Sequence, residues 1–295
     1  MVSGETSVVV VTWNAADHLE RCLESVRGHE TIVVDNGSTD STVALVRERF
    51  PEARVIEQEN KGMGGGNNAG ILAAAGRYVL LLNSDAWVVG NAVERLAGFA
   101  DEHHRAAVVG PRLRNPDGSL QRSVRGEPTL WRLATEYLFL RKLGPRTDAF
   151  NAFYGGGFGY DEPRRVESLY GAALLVRREA VGEVGLFDES FFMFSEETDW
   201  LHRFRRAGWE VWFTPDAEVV HLGGASHGGR LYVENLRGIL RFMSKNRGPE
   251  EAERARLLLL WSLRLRALVF RGDRGASYRE GARFLASGHV PALLG

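Results

Sequence analysis

Short runs of consecutive apolar residues alternate, over the first 90 residues, with segments whose apolar positions recur at helical spacing. Runs such as 7–13 are rich in β-branched residues, which is typical of strands buried on both faces of a parallel sheet. This alternation predicts an α/β fold with a mostly parallel central sheet and helices on both of its faces. The predicted strands are 7–13, 31–34, 54–57 and 78–82, and the predicted helices are 14–26, 42–50 and a third ending at Ala75.

Beyond residue 90 the pattern is less regular, but further elements can be placed. The segment Asn115-Pro116-Asp117-Gly118 is a strong turn signal and predicts a hairpin. Residues 126–167 show little pattern, and the glycine-rich stretch 154–160 within them is either a lid over a site or disordered. The other predicted elements are a helix to about His103, strands at 107–109, 210–213 and 217–221, and a loop entering a buried strand at 171–178.

From Leu231 onward the composition changes, and this tail is predicted to be helical. Residues 253–274 carry six arginines around an apolar run at 257–261. A basic helix with an apolar face either lies on an anionic membrane surface or packs on the domain while its arginines snorkel to water. The sequence therefore predicts a main domain at 1–228, with halves at about 1–110 and 111–228, and a helical extension at 229–295.

The overall composition excludes several classes of protein. With 44% hydrophobic residues, 25% charged residues and a net charge of −1, the chain is globular, and no nucleic-acid partner is expected. A single cysteine, Cys22, excludes an internal disulfide and suits a reducing compartment. No signal peptide is expected, and the run 257–261 is too short to span a bilayer. These features indicate a cytoplasmic protein, with peripheral contact on the inner face of the cell membrane through the tail as an open alternative.

Polar residues follow each of the first four predicted strands. Ligands of parallel α/β sheets bind outside the carboxyl ends of the strands, so these residues are candidate ligand contacts. Asp85 is of particular interest, because a carboxylate there either holds a divalent cation beside a phosphate or serves only as a turn residue. The candidates are Thr12, Asn14, Asp35, Asn36, Lys61, Gly62, Asn67, Asn68, Asn83, Ser84 and Asp85.

The glycine-rich segment 60–70 is not a standard nucleotide fingerprint. It follows the third strand rather than the first, and the acidic strand-end residue Asp35 precedes it, which excludes the Rossmann pattern. No Gly-Lys-Ser/Thr ends the run, which excludes a P-loop. We expect a flexible loop whose backbone approaches a ligand, with Asn67 and Asn68 at the start of the following helix. The alternative is a long surface turn.

The stretch 187–200 places aromatic residues against three carboxylates, Glu196, Glu197 and Asp199. Ser195 is the predicted N-cap of a helix that starts here. An apolar wall beside a carboxylate raises its pKa, as a general base requires, although acidic residues also favour helix N-termini through the dipole. The helix has an apolar stripe at Trp200, Leu201 and Phe204, and Gly208 is predicted to end it.

His221 ends a short apolar strand and leads into the glycine-rich segment 223–229. Such a histidine is either a structural residue or a metal ligand.

These segments, in this order, resemble glycosyltransferase family 2, which has the GT-A fold, and in particular bacterial rhamnosyltransferase-like members that build cell-surface polysaccharides. The resemblance runs from Ser7 to about Ser226. Any one segment is a weak signal, whereas the ordered set is specific. The matching segments are 7–14, 34–40, 60–70, 81–85, 171–178, 187–199 and 207–221.

The resemblance implies an inverting transfer of a sugar from a nucleoside diphosphate donor to a hydroxyl of a glycan or lipid-linked acceptor. The first expectation is dTDP-rhamnose, and a UDP-hexose is the alternative. Asp35 matches the residue that contacts the base, and Asp85 and His221 match the ligands of Mg²⁺ or Mn²⁺. Glu197 matches the catalytic base, with Glu196 in reserve. The acceptor side is expected at Gly171, Ala172, Phe192 and Trp200.

Three residues depart from the family pattern. Asn83 stands where the first Asp of Asp-x-Asp is common, Met63 replaces an aromatic residue and Glu197 replaces an Asp. A non-catalytic nucleotide-sugar binding protein therefore stays open as another class. A nucleotidyltransferase is disfavoured, because it would carry a basic, glycine-rich loop after the first strand, where 14–17 is Asn-Ala-Ala-Asp. Self-association into a homo-oligomer stays open.

Overall fold

The structure, a computed structural model, describes residues 3–223 apart from Ala152 and Tyr154, together with residues 231–288. The strands are β1 (Ser3–Thr12), β2 (His29–Asp35), β3 (Arg54–Glu57), β4 (Tyr78–Asn83), β5 (Ala86–Val88), β6 (Ala106–Arg114), β7 (Leu120–Gln121), β8 (Val124–Arg125), β9 (Arg164–Arg165), β10 (Ser168–Leu169), β11 (Ala173–Arg177) and β12 (Glu210–His221). The helices are α1 (Ala16–Ser25), α2 (Thr42–Arg49), α3 (Gly62–Ala73), α4 (Ala92–Glu102), α5 (Leu130–Tyr137), α6 (Asp148–Asn151), α7 (Arg178–Val184), α8 (Glu196–Arg206), α9 (Leu231–Arg247), α10 (Pro249–Val269) and α11 (Gly272–Ala286), with a 3₁₀ turn at Leu140–Leu143.

The central sheet has the strand order β3-β2-β1-β4-β11-β6-β12-β5. The first four strands in this order are parallel, as the alternating pattern predicts. β11 then runs antiparallel between β4 and β6, while β12 is parallel to β6 and β5 closes the edge antiparallel to β12. The predicted α/β fold is confirmed, with a parallel half and a mixed half.

Both faces of the sheet are covered, which explains the unbroken apolar runs. Val8 and Val10 pack with α1, α2 and α4 on one face, and Val9 and Val11 pack with α3, α7 and α8 on the other. All four valines are at most 4% exposed. The side chains of successive strand residues point to opposite faces, so a strand buried on both sides needs apolar residues at every position.

The predicted flexible glycine loop is wrong, because the chain is helical from Gly62 onward. A Cβ at Gly66 would lie 2.6 Å from Cγ1 of Val11, and one at Gly70 would lie 2.2 Å from Cγ1 of Val9. Glycine is therefore required at these positions because α3 lies directly on β1. The low helix propensity of glycine suggested a loop, and close packing overrides that propensity.

Several boundaries in the second half differ from the prediction. The strand expected at 107–109 is the longer β6, and the two strands expected at 210–213 and 217–221 are one strand, β12. The predicted hairpin is confirmed by the antiparallel pairing of β6 with β7.

The segment 154–160, expected to be either a lid or disordered, is only partly within the described residues, since Tyr154 lies outside them. Phe158 and Tyr160 pack edge-on against Phe213, with ring centroids 5.2 and 5.1 Å away. This end of the segment is therefore anchored in the core. The glycine-rich segment after His221 also falls mostly outside, because residues 224–230 are not described.

The C-terminal tail is helical, as predicted, and α9, α10 and α11 build a hydrophobic cluster of their own. Leu133 and Tyr137 of α5 complete this cluster, so the extension packs on the second half of the main domain. No helix in the described part of the chain is both long enough and apolar enough to cross a membrane.

Candidate active site

Two buried oxygen atoms without partners mark the carboxyl ends of β1 and β2. Thr12 and Asp35 are adjacent in the register of these strands and are 2% exposed each. Oδ2 of Asp35 accepts hydrogen bonds from the backbone N–H groups of Gly37 (3.1 Å) and Ser38 (2.8 Å). Oδ1 of Asp35 and Oγ1 of Thr12 have no hydrogen-bond partner among the described residues. Since buried polar atoms are normally paired, this place suits a ligand that donates a hydrogen bond.

Asn14 and Asn36 shape this end of the site through their own hydrogen bonds. Asn14 adopts a left-handed backbone with φ of 49°, and its Oδ1 accepts from the backbone N–H of Thr39 at 2.8 Å. Asn36 donates from Nδ2 to the carbonyl of Gly62 at 3.0 Å and accepts from Gln58 at 2.8 Å. Both amides are engaged within the protein, so they hold the surrounding loops in place.

Gly62 and Asn68, which are predicted nucleotide contacts, both contact the segment 187–192. Gly62 has φ of +74°, and a Cβ there would lie 1.9 Å from the carbonyl oxygen of Phe192. The amide of Asn68 donates to the carbonyl of Phe187 at 3.0 Å and accepts from its N–H at 2.9 Å. The start of α3 therefore positions the acidic stretch. Asn67 is 9% exposed, and Lys61 is exposed just before the helix.

Asp85 and His221 lie together at the next strand ends, as the metal assignment requires. Nε2 of His221 is 3.3 Å from Oδ1 of Asp85, and the backbone N–H of Leu222 donates to the Asp85 carbonyl. Burial acts to raise the pKa of Asp85, but the hydrogen bond and charge of His221 outweigh it and lower that pKa. Within the described residues no three metal-ligating side chains cluster, and Asp85 and His221 are the pair that could hold a cation. Asn83 and Ser84 precede Asp85 and are half-buried.

Gln121 fixes the orientation of His221, and the sequence pattern did not single it out. Its Nε2 donates to the carbonyl of His221 (3.2 Å) and to Oδ1 of Asn115 (2.8 Å), which sets the direction of the amide. Its Oε1 then faces Nδ1 of His221 at 2.7 Å and must accept from that nitrogen. The ring therefore carries a proton on Nδ1 and turns Nε2 toward Asp85. With Nδ1 held in this way, Nε2 donates to Asp85 when the ring is protonated and is available to a cation when the ring is neutral, so the pair fits a divalent cation.

Glu196 and Glu197 lie side by side on the first turn of α8. Ser195 occupies the N-cap position, but its φ is 67° and its side chain makes no capping hydrogen bond, so its predicted capping role is wrong. The Oε2 atoms of both glutamates are buried without a hydrogen-bond partner in the described structure.

Burial raises the pKa of both glutamates. The pKa of Glu196 lies well above its usual range and is raised further by the charge of Glu197. For Glu197, its own backbone amide and the charge of Arg125 oppose the effect of burial. Glu197 is also the more exposed residue of the pair. Glu197 is therefore the residue of the pair that a ligand can reach.

Tyr170 lies between the acidic pair and the Asp85–His221 pair. Its ring centroid is 5.5 Å from that of His221. Burial raises the pKa of the tyrosine, and the charges of Glu197 and Asp85 add to this effect. The next residue, Gly171, borders the acidic pair, because a Cβ there would lie 3.8 Å from Cγ of Glu197. Tyr170 and Gly171 therefore connect the two pairs.

The other predicted acceptor contacts differ in their exposure. Phe192 is 44% exposed at the surface, where it could meet a ligand. Ala172 is buried, and its carbonyl accepts from the N–H of Asn83 at 3.0 Å. Trp200 is fully buried beside Phe187, and its indole donates to the carbonyl of Gly185 at 2.8 Å. Its predicted acceptor contact is therefore wrong, and Trp200 belongs to the core.

Asp199 has a structural role on the first turn of α8. It is 0% exposed, and it pairs with Arg203 at 3.0 Å and with Lys245 of α9 at 2.9 Å. Asn246 donates to its other oxygen at 3.0 Å. These contacts join α8 to the C-terminal extension.

A cavity of about 630 Å³ beside α5, α8 and α9 lies apart from these strand ends. On its wall Glu127 is 3% exposed and accepts from His202 (2.8 Å) and Arg247 (2.9 Å). Its charged groups largely satisfy one another, so we assign it a packing role between the main domain and the extension.

The sequence of residues 7–160 matches the family model described as glycosyl transferase family 2. Over 231 residues the chain is 35% identical to the N-acetylglucosaminyl-diphospho-decaprenol L-rhamnosyltransferase of Mycobacterium tuberculosis, a match covering 72% of this chain and 75% of the relative. The fold is similar to that of S. aureus TarS 1–349, with a TM-score of 0.52 and 17% identity over 97% of this chain and 92% of that chain. It is also similar to GalNAc-T7 with UDP, GalNAc and Mn²⁺, with a TM-score of 0.60 and 18% identity over 81% of this chain. This chain spans 48% of that GalNAc-T7 chain, which is less than half of its length.

The chain belongs to glycosyltransferase family 2, and the resemblance found from the ordered motifs is confirmed. The mixed sheet with its covering helices is the GT-A fold of these transferases. Glycosyl transfer is therefore the class of reaction that the chain's family carries out.

Proposed function

We propose that this protein is an inverting glycosyltransferase that moves rhamnose from dTDP-rhamnose to a hydroxyl of a lipid-linked glycan. The observation that carries the proposal is that Tyr170 adjoins both the Asp85–His221 pair and the Glu196–Glu197 pair. The choice of rhamnose and of a diphospholipid acceptor rests on the mycobacterial relative, whose name gives both.

The donor nucleotide binds at the ends of β1 and β2. Oδ1 of Asp35 accepts the N3–H of the base, and Oγ1 of Thr12 lies beside it. Uracil and thymine both carry this N–H, so the contact leaves a UDP-hexose as the alternative donor. Asp85 and His221 would hold Mg²⁺ or Mn²⁺, which supplies positive charge to the departing diphosphate.

Glu197 acts as the general base toward the acceptor. Glu197 is the more exposed residue of the pair and the charge of Arg125 favours its ionised form, so Glu197 is the carboxylate that an acceptor hydroxyl can reach. Glu197 takes the proton of the acceptor hydroxyl while that oxygen forms a bond to the anomeric carbon. The bond from this carbon to the diphosphate oxygen breaks on the opposite face, and its electron pair leaves with the diphosphate. One displacement inverts the anomeric centre.

The acceptor's lipid suggests that the protein works at the cytoplasmic face of a membrane. A non-catalytic nucleotide-sugar binding protein would bind the donor without releasing free nucleoside diphosphate. This difference separates the two classes experimentally.

A donor and acceptor panel tests the proposal. The purified chain is incubated with dTDP-rhamnose or UDP-hexoses, Mg²⁺ or Mn²⁺, and an N-acetylglucosaminyl-diphospho-polyprenol acceptor. We expect release of dTDP that requires the acceptor, a glycolipid heavier by one deoxyhexose, and an anomeric configuration opposite to that of the donor. Binding of the donor without any product would overturn the proposal, and turnover of a UDP-hexose alone would replace its donor.

A further inference from the structure

One face of α10 leaves five large apolar side chains in water. They are spaced four, four, three and one residues apart, so they follow one side of the helix. The opposite side packs into the C-terminal cluster through residues such as Leu259 and Leu263, which are 0% exposed. We call the exposed set the α10 stripe, and it comprises Leu257 (41% exposed), Trp261 (60%), Leu265 (57%), Leu268 (82%) and Val269 (75%).

The apolar surface continues from the α10 stripe onto a neighbouring element. Phe139 lies 6.0 Å from Phe270, between ring centroids, at the C-terminal end of α10. The 3₁₀ turn that follows Phe139 exposes 74% of Leu143. Exposed apolar side chains grouped in this way are typical of an interaction surface.

Unpaired cations border the C-terminal part of the stripe. The Arg264 guanidinium lies 4.9 Å from the ring of Trp261, and Lys142 lies 5.2 Å from the ring of Phe139. Arg264, Arg271 and Lys142 have no carboxylate partner among the described residues, and the same holds for Arg274. By contrast, Arg256 at the other end of α10 pairs with Glu253. The free positive charge therefore lies where the apolar residues are most exposed.

We propose that the α10 stripe and Leu143 dock the protein on an anionic lipid bilayer, with the unpaired cations facing the headgroups. Helices that lie in the membrane interface combine an apolar face, a tryptophan and flanking arginines or lysines in this way. Charge complementarity favours an anionic lipid surface over a neutral partner. The inference deepens the proposed function, on which it rests for its biological reason, because a lipid-linked acceptor resides in such a surface.

Vesicle co-sedimentation tests the docking surface directly. The full chain is mixed with vesicles of phosphatidylcholine alone or of phosphatidylcholine with phosphatidylglycerol, at low and high salt. We expect binding to the anionic vesicles that weakens with salt. The combined variant Trp261→Ser/Leu265→Ser/Leu268→Ser should lose at least about tenfold in affinity, and Arg264→Gln/Arg271→Gln/Arg274→Gln should lose the dependence on anionic lipid. The control is Leu72→Ser, an equally exposed leucine (72%) on α3, which should bind like the unaltered chain.

Two results would overturn the inference. One is equal vesicle binding by the unaltered chain and the Trp261/Leu265/Leu268 variant. The other combines two observations: the unaltered chain does not bind vesicles, and light scattering shows it to be a dimer whereas the variant is a monomer. That result would assign the α10 stripe to contact with a second copy of the chain. An assay of sugar transfer to a water-soluble acceptor analogue distinguishes this inference from the proposed function. The Trp261/Leu265/Leu268 variant should retain this transfer. If the unaltered chain binds vesicles but transfers no sugar, the proposed function is contradicted and the docking surface is still supported.

Discussion

Gln121 accepts a hydrogen bond from Nδ1 of His221 at 2.7 Å and thereby turns the opposite ring nitrogen toward Asp85. The direction of this bond is set by a relay in the hairpin turn. The carboxylate of Asp117, which only accepts, accepts a hydrogen bond from the hydroxyl of Ser119, whose oxygen in turn accepts from the Asn115 amide. Oδ1 of Asn115 then accepts from Gln121. The turn that the sequence predicts is therefore part of the site.

Removing this orientation should weaken cation binding. In Gln121→Ala the ring of His221 loses its partner at Nδ1, so we expect Mn²⁺ affinity in the presence of UDP to fall by about 10–100-fold. Titration of free Mn²⁺ by electron paramagnetic resonance measures this without requiring turnover. Leu120→Gln, on the neighbouring exposed residue of β7, is the matched control and should bind Mn²⁺ normally. Unchanged affinity in Gln121→Ala would remove Gln121 from the metal site.

Asp35→Asn should change which base the protein prefers. Two backbone N–H groups point at Oδ2 of Asp35, so the oxygen of an asparagine would take that position and its NH₂ would replace Oδ1. A donor would then face the N3–H of uracil or thymine, whereas the N3 of cytosine accepts. We expect affinity for UDP and dTDP to fall at least about tenfold, roughly 1.4 kcal/mol, while CDP gains relative to both. Calorimetric titration checks this, with the exposed Asp17→Asn as control, and an unchanged order of bases would contradict the assigned base contact.

The parallel half of the fold could be predicted because its signal is local. Each of the buried strands β1, β2 and β4 is a run of apolar residues, and each polar residue at its end follows directly in the sequence. The positions of Thr12, Asp35 and Asp85 at strand ends can be predicted for this reason alone. The role of the glycines of α3 could not be predicted, because it depends on how closely that helix approaches Val9 and Val11.

Substitutions of Glu197 and Glu196 should have different effects. Glu197→Gln removes the base, so we expect kcat to fall by about 10²–10⁴-fold while the affinity for dTDP is unchanged. Stopped assays of glycolipid formation and calorimetric titration of dTDP measure the two quantities. Near-normal turnover in Glu197→Gln would contradict its role and move the assignment to Glu196.

Glu196→Gln should instead change the pH dependence of stability. Burial raises the pKa of Glu196 in the folded protein, so the folded state binds its proton more tightly than the unfolded chain does. Its contribution to stability is therefore complete below the unfolded pKa and is lost as pH rises through the folded pKa. Glutamine is neutral throughout, so the variant should gain stability relative to the unaltered chain as pH rises from acidic to neutral. Urea unfolding at a series of pH values measures this, and parallel curves for the two proteins would contradict it.

Arg125 should set the acid limb of activity. Burial raises the pKa of Glu197, and the charge of Arg125 opposes that rise. The base is inactive when protonated, so activity grows as pH rises through this pKa. Arg125→Met removes the opposing charge and should move the acid limb of kcat/KM to higher pH, whereas Arg125→Lys should keep it near its original position. An acid limb that does not move in Arg125→Met would show that Glu197 does not titrate as the base.

The roles of Gln121, Tyr170 and Arg125 could not be predicted from the sequence, because they depend on contacts between segments that are far apart along the chain. Gln121 reaches His221, 100 residues later, only through the β6–β7 hairpin and the pairing of β6 with β12. Trp200 was misplaced for a related reason. Helical spacing predicts the apolar stripe that contains Trp200, but it does not predict which part of the protein that stripe packs against.

Asp199 should be a stability residue rather than a catalytic one. Its carboxylate is 0% exposed and is held by Arg203, Lys245 and Asn246, so it links α8 to α9. Asp199→Ala leaves three polar partners without their shared acceptor and should cost about 3–5 kcal/mol of unfolding free energy. Lys245→Met should cost less, because Arg203 and Asn246 still satisfy the carboxylate. Urea unfolding gives both values, and Glu24→Ala on the exposed surface should change little. A loss in Asp199→Ala no larger than in Glu24→Ala would contradict this role, as would loss of activity with full stability.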